Sequence, residues 1–257
     1  MCLVLLAWRA DRDYPCVLAA NRDEFHARPT ARAEWWRDRP QILAGRDLKS
    51  HGTWLGVTRS GRFAALTNYR DPNRRRAHGP GDEPPSRGGL VTTMLESGAT
   101  VAEGLAHLRA VSSNYDDFNL IFSDGERLGI YESVRGAGRE LGPGIYGLSN
   151  HLLDTPWPKV QNAKSRLAAL GNLTDTAPLL ALLRDDRPAL DEQLPQTGIS
   201  REWEPLLSSA FVRADDYGTR CSTIIRIGAS GRAYFDEWTW DRAGADVGRI
   251  CLQFELE

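Results

Sequence analysis

The chain has 257 residues, 41% of them hydrophobic and 26% charged, an ordinary globular composition on a length that can bury a substantial core. A net charge of −2 gives no overall basic footprint for nucleic acid. No apolar run approaches the roughly 18 residues that a transmembrane segment needs.

The apolar start lacks a basic n-region and runs at once into Arg9, Asp11, Arg12 and Asp13, so it does not read as a signal peptide. Four cysteines, Cys2, Cys16, Cys221 and Cys251, lack metal-ligand or secreted-scaffold spacing and read as reduced thiols of a cytoplasmic protein.

Residues 3–8 and 16–20 flank a polar turn and predict a hairpin that begins directly behind Cys2. Residues 53–58 and 62–68 predict a second, turned by Arg59-Ser60-Gly61 with the glycine at positive φ. Phe63-Ala64-Ala65-Leu66 is apolar on both faces, as in a strand between two covered layers, and it delivers Thr67-Asn68 to its end. Residues 70–88 carry Arg74-Arg75-Arg76, Pro80, Pro84, Pro85 and three glycines, which predicts a mobile loop, either a lid or a plain surface excursion.

Helices are expected at 89–97 and 101–111, the second capped by Thr100. A third hairpin, 118–123 with 127–133, turns at Asp124-Gly125, and a short strand at 145–148 ends at Ser149-Asn150. Pro158 opens a helix that runs to about residue 170, with Gly171 as its stop. Residues 176–183 form another helix, and 185–203 read as irregular. A fourth hairpin, 219–227 with 233–240, turns at Ser230-Gly231, and 250–256 close the sheet. No repeat or linker interrupts this order, so residues 1–257 are expected to form a single domain. Hairpins first and last with helices between specify α+β.

Cys2 stands behind the initiator methionine. Removal of Met1 would leave a thiol and a free α-amine on one residue. The amine's unperturbed pKa of about 7.7–8.0 lets it exchange a proton near neutral pH with a thiol of about 8.5. That is the minimal apparatus of N-terminal nucleophile catalysis; the plain alternative is a small buried cysteine that happens to stand second. Farther on, Asn21-Arg22-Asp23-Glu24-Phe25 clusters polar side chains at a strand end, the mark of a site held by a scaffold or of a solvated turn. If the strand continues, Arg22 and Glu24 share one face and Asn21 and Asp23 the other, and either can meet Cys2.

Further segments are Arg28-Pro29-Thr30, Gly45-Arg46-Asp47, Gly52-Thr53-Trp54-Leu55-Gly56-Val57, Gly61 to Arg70 and Ser86-Arg87-Gly88. Toward the C-terminus come Gly147-Leu148-Ser149-Asn150, Asp154-Thr155-Pro156-Trp157-Pro158-Lys159 and Thr219-Arg220-Cys221-Ser222-Thr223. In this order they resemble the NRDE proteins, relatives of the eukaryotic transport and Golgi organisation protein 2, from residue 2 to about 225. The resemblance implies a four-layer αββα sandwich of two mainly antiparallel sheets. It also implies kinship with the cysteine-type N-terminal nucleophile hydrolases, whose relatives include penicillin and bile-salt acylases. On that footing Asn68 and Asn150 look like the two oxyanion donors, and Arg220 like the late arginine that steadies the nucleophile's neighbourhood. One departure stands out. The acylases carry arginine three residues before aspartate, whereas here Arg22 and Asp23 are adjacent and Asn21 lies three before Glu24.

The candidate catalytic set is Cys2, Asn21, Arg22, Asp23, Glu24, Asn68, Asn150 and Arg220. The expected activity is hydrolysis of an amide or related acyl bond of a small molecule through a Cys2 thioester, without cofactor or metal. The alternative is a non-catalytic ligand-binding or trafficking protein on the same fold, with haem or an acyl lipid as cargo, although no C-x-x-C-H attachment motif is present. The five histidines show no ligand spacing. Trp35, Trp36, Trp54 and Trp157 suit core packing or the walls of an acyl pocket.

Overall fold

Strand β1 (Cys2–Trp8) and strand β2 (Cys16–Phe25) form the expected hairpin, in register from Cys2 opposite Arg22 to Trp8 opposite Cys16. We describe it from a computed structural model, which covers residues 2–72, 74, 84–200 and 202–257. Most of the loop expected at 70–88, and Met1 with its removal, lie outside the described residues. The first strand is apolar throughout; the second stays buried as far as Asp23, through side chains that sequence reasoning had assigned to the end of a strand at residue 20. Alternation puts Leu3, Leu5, Ala7, Val17 and Ala19 on one face, in a core shared with helices, and Cys2, Ala20 and Arg22 on the other.

The chain divides into two compact units, Met1–Ala27 with Pro143–Glu255, and Arg28–Gly142 with Leu256–Glu257. The second unit is a seven-stranded antiparallel meander of β3 (Thr30–Trp35), β4 (Ile42–Asp47), β5 (Leu55–Thr58), β6 (Phe63–Asn68), β7 (Phe118–Ser123), β8 (Leu128–Glu132) and β9 (Ala137–Leu141), neighbours in chain order. Helices α1 (Gly88–Glu96) and α2 (Val101–Val111) cover one face of it. There Leu90, Val91, Leu95 and Leu108 pack with Ala64, Leu66 and Leu120. Thr100 caps α2 as expected and completes a reciprocal capping box with Glu103. Gly61 turns the β5–β6 hairpin at φ 76°. Gly52 cannot be replaced cheaply: a Cβ there would lie 2.6 Å from the Gly88 carbonyl carbon at the start of α1.

Returning at Pro143, the first unit adds β10 (Gly144–Leu148), α3 (Pro158–Ala168), α4 (Thr176–Leu183), α5 (Trp203–Ser208), β11 (Tyr217–Ile227), β12 (Arg232–Trp240) and β13 (Asp246–Glu255). Its six strands are ordered β10-β1-β2-β11-β12-β13 and are antiparallel throughout. Helices α3 and α4 bury Val160, Ala163, Leu167, Leu179 and Leu182 against β1 and β2. The molecule is thus α+β, with two antiparallel sheets. Among the described residues no helix is long and apolar enough to cross a membrane.

Five elements differ from expectation. Strands β3 and β9 are the edges of their sheet and, apart from Ala33, only partly buried or exposed, so they carry little apolar signal. β4 contributes only three buried apolar residues before Gly45-Arg46-Asp47. The short α5 falls where irregular chain was expected. Helix α3 ends at Ala168 with Ala169 still right-handed, so Gly171 is not its cap.

Asp47 organises the turn after β4. It accepts Arg28 Nε at 2.5 Å and the backbone N–H groups of Lys49 and Ser50 at 2.9 Å each. Burial alone would raise this carboxyl, but the Arg28 guanidinium and the two N–H groups outweigh it and hold the group below its usual range. A depressed folded pKa stabilises above the unfolded carboxylate pKa, and that stability is lost as pH falls through the folded value. Asp47→Asn should therefore cost about 1–2 kcal/mol in urea unfolding at pH 7. The gap from wild type should close below about pH 3; a gap that persists there would show that charge is not the source.

Candidate functional site

Backbone pairing between β1 and β10 stops at Val4 opposite Leu148, and side chains take over from there. The Cys2 N–H donates to Asn150 Oδ1 at 3.1 Å, and the Cys2 carbonyl accepts from Ser149 Oγ at 2.8 Å. Behind them the chain folds tightly. Asp154 accepts the Gly147 N–H through Oδ1 and donates its own N–H to the Gly147 carbonyl, both at 2.8 Å, with φ 59° at Asp154. Lys164 reaches the same Oδ1 at 2.7 Å. His151 Nδ1 meets Thr155 Oγ1 at 2.8 Å, and its ring lies 5.6 Å from that of Trp157. The segment from Gly147 to Lys159 is therefore one turn that seats Asn150 beside Cys2 and starts α3.

Register settles which face of β2 meets Cys2. Cys2, Arg22 and Cys221 are cross-strand neighbours on one face, and Glu24 follows Arg22 there with 3.9 Å between their charged atoms. Asn21 and Asp23 point to the helix-covered side. Asn21 is wholly buried: its Nδ2 donates to the Leu183 and Ala210 carbonyls at 2.7 and 2.8 Å, and its Oδ1 accepts from Ser222 Oγ at 2.6 Å. Trp240 Nε1 donates in turn to Ser222. The Asn21 amide thus ties β2 to the helical layer, on the face away from Cys2.

Asp23 is also buried. Its Oδ1 accepts from Thr219 Oγ1 at 2.7 Å, and its carbonyl accepts from Tyr217. Burial raises the carboxyl, opposed by the charge of the buried Lys159, by Thr219 and by Arg22. Burial likewise raises the Cys2 thiol, and the charge of Asp23 adds to the rise, while the Asp23 backbone and the Arg22 guanidinium pull against it. At rest the sulfur is a thiol. Any nucleophilic role needs a base that acts during attack.

Arg220 is the extra residue of a β-bulge: Thr219 pairs with Asp23 and Cys221 with Arg22. Its Nη1 donates to the Phe25 and His26 carbonyls at 2.9 and 3.2 Å, so it closes off the end of β2. Arg22 acts on Cys2 with its charge. Asn150 stands at Cys2, and Asn68 is the exposed last residue of β6 in the second unit. Of the other thiols, burial pushes Cys16 and Cys221 well up, whereas Cys251 is exposed on edge strand β13. Among the described residues no group of three or more His, Cys, Asp and Glu is placed to hold a metal ion.

Ser149, Lys159, Thr219 and Ser222 were not singled out from the sequence, although each lies in a motif quoted above. Lys159 carried a signal of its own, as one of three lysines among 32 basic residues. It also walls a cleft of about 490 Å3 between α3, α4 and residues 185–193, which Cys2 does not line.

Residues 1–242 match the family described as Transport and Golgi organisation 2. The chain belongs to that family. It is 40% identical over 252 residues to the Transport and Golgi organization protein 2 homolog of Bos taurus, covering 87% of this chain and 86% of that one. The Homo sapiens homolog is 38% identical over 248 residues with the same coverage. The Drosophila melanogaster protein is 27% identical over 252 residues, covering 88% and 86%. Among solved structures, the C2A mutant of conjugated bile acid hydrolase from Clostridium perfringens aligns with a TM-score of 0.49 at 12% identity, over 99% of this chain and 92% of that chain. An N-acylethanolamine-hydrolyzing acid amidase ortholog from Caenorhabditis elegans gives 0.45 at 10%, over 87% and 92%. Those two values are too low to carry the assignment, which rests on the sequence match.

Asn21→Ala should remove about 3 kcal/mol of stability, because three buried groups lose a partner together. Thiol reactivity at Cys2 should stay near wild type. Urea unfolding and site-resolved alkylation check the two halves; a stable variant with an inert Cys2 would return Asn21 to the chemistry.

Proposed function

We propose that this protein is a cysteine N-terminal-nucleophile hydrolase of an amide or related acyl bond in a small molecule, acting once Met1 is removed. The observation that carries the reading is the double hold on Cys2, its nitrogen on Asn150 Oδ1 and its carbonyl on Ser149 Oγ, with Arg22 as its cross-strand neighbour. Nucleophile and prospective base are thereby set against each other on one residue.

With Met1 gone, the nitrogen that donates to Asn150 becomes an α-amine. Its hydrogen bond to Oδ1 orients the amine, whose lone pair accepts the thiol proton as Sγ attacks the carbonyl carbon. Arg22 favours the negative charge that develops on sulfur. The tetrahedral oxyanion is held by N–H donors, in this proposal with Asn150 Nδ2 among them. The α-ammonium returns its proton to the leaving nitrogen, the C–N bond breaks and a thioester remains. Water, deprotonated by the same amine, then releases the acid and restores the thiol. Asp23, Arg220 and Glu24 shape the electrostatic surroundings of this centre, and we place the protein in the cytoplasm with its four thiols reduced.

Intact mass should show the loss of one methionine; uniform retention of Met1 in protein from the native host would sink the amine-as-base mechanism. A β-lactone should acylate Cys2 in a Cys251→Ser background, which removes the exposed competitor, and Cys2→Ala should abolish labelling. Once a substrate is found, kcat/KM should rise with pH through the range of an α-amine, about 7.7–8.0 if unperturbed. Asn150→Ala should lower kcat roughly 10²–10³-fold, with far less loss of stability than Asn21→Ala. Failure of Cys2 to acylate, together with tight haem or acyl-lipid binding that Cys2→Ala leaves intact, would favour the carrier.

A further inference from the structure

Ser149 is 2% exposed and bonds in two directions. Its Oγ lies 2.8 Å from the Cys2 carbonyl oxygen and 3.3 Å from Asn150 Oδ1, so one hydroxyl proton is shared between two acceptors. Asn150 Oδ1 thus faces two donors, the Cys2 nitrogen and the Ser149 hydroxyl. A carboxamide oxygen only accepts and its nitrogen only donates. Turning the amide over would set an NH2 group against both donors. The oxygen therefore stays on the Cys2 side, and Nδ2 takes the opposite branch.

The same hydroxyl restrains the nucleophile. Backbone pairing with β10 ends two residues before Cys2, and the donor and acceptor that Cys2 presents on that side are both met by side chains. A chain terminus frays unless it is tied down. After removal of Met1 the Cys2 nitrogen no longer belongs to a peptide plane, and the Ser149 bond to the carbonyl becomes one of two ties that hold the residue from that side.

We infer that Ser149 is a positioning residue for acylation: its hydroxyl holds the Asn150 amide with Oδ1 on the Cys2 nitrogen and Nδ2 presented as an oxyanion donor, and it anchors the Cys2 carbonyl. The inference rests on the hydrolase reading proposed above. It assigns to a neutral serine the task of keeping base and oxyanion donor on opposite ends of one amide. The carbon–sulfur bond is made and the carbon–nitrogen bond broken by Cys2 alone.

The test compares Ser149→Thr with Ser149→Val in the Cys251→Ser background, two side chains of nearly equal shape that differ in the hydroxyl. Cys2 is challenged with a β-lactone, which passes through an oxyanion, and with iodoacetamide, which does not. Ser149→Thr should acylate within about twofold of the parent. Ser149→Val should acylate about tenfold more slowly, the rate equivalent of one hydrogen bond, while its alkylation changes much less and its unfolding midpoint stays close to that of Ser149→Thr. Equal acylation by the two variants overturns the inference, as does an equal fall in both reactions with a fall in stability. If the parent itself is not acylated, the hydrolase reading fails and the inference falls with it. That result is distinct from a failure confined to the valine variant.

Discussion

Strand β1 is paired on both sides, and almost everything at the candidate site follows from where each pairing stops. Against β2 the ladder runs to the end, with Cys2 opposite Arg22. Against β10 it halts at Val4, and Ser149 and Asn150 continue it with side-chain atoms. A shift of one residue in either register would turn Cys2 to the helix-covered face, since alternation has a period of two. The fully buried Leu3, Leu5 and Leu6 make that shift costly, because each would exchange its packing surroundings. The apolar strand therefore determines the position of its polar first residue.

Keeping Asn21, Arg22 and Asp23 buried in the middle of a sheet is expensive unless each is satisfied. The structure meets the need separately for each. Asn21 spends its amide on two carbonyls of the helical layer and on Ser222. Asp23 is met by Thr219, with Lys159 supplying opposite charge. Arg22 faces Glu24 across 3.9 Å. The bulge at Arg220 brings Thr219 opposite Asp23 while keeping Cys221 opposite Arg22, so one inserted residue serves two neighbouring contacts.

The hairpins and the helices with Pro158 and Thr100 at their starts were legible because turn and cap chemistry acts locally. The polar end of β2 was not, since a strand carrying Asn-Arg-Asp-Glu looks like a loop until its partners on both sides are known. Periodicity separated Asn21 and Asp23 from Arg22 and Glu24, yet which pair meets Cys2 depends on the register with β1, a long-range property. The exposure of Cys251 is a property of the same kind, because only sheet order makes β13 an edge. Asn150 was legible from its motif, but the serine before it gained meaning only from the geometry of the Cys2 carbonyl.

The Cys2–Asn150 bond joins residues separated by 148 positions in the chain. At roughly 5–20 residues per second of synthesis, several seconds or more pass between the appearance of Cys2 and that of its clamp. During that interval the start of the chain has β2 as a partner but not β10. Completion of the site is a matter of timing as much as of sequence, because Cys2 waits on a partner made 148 residues later.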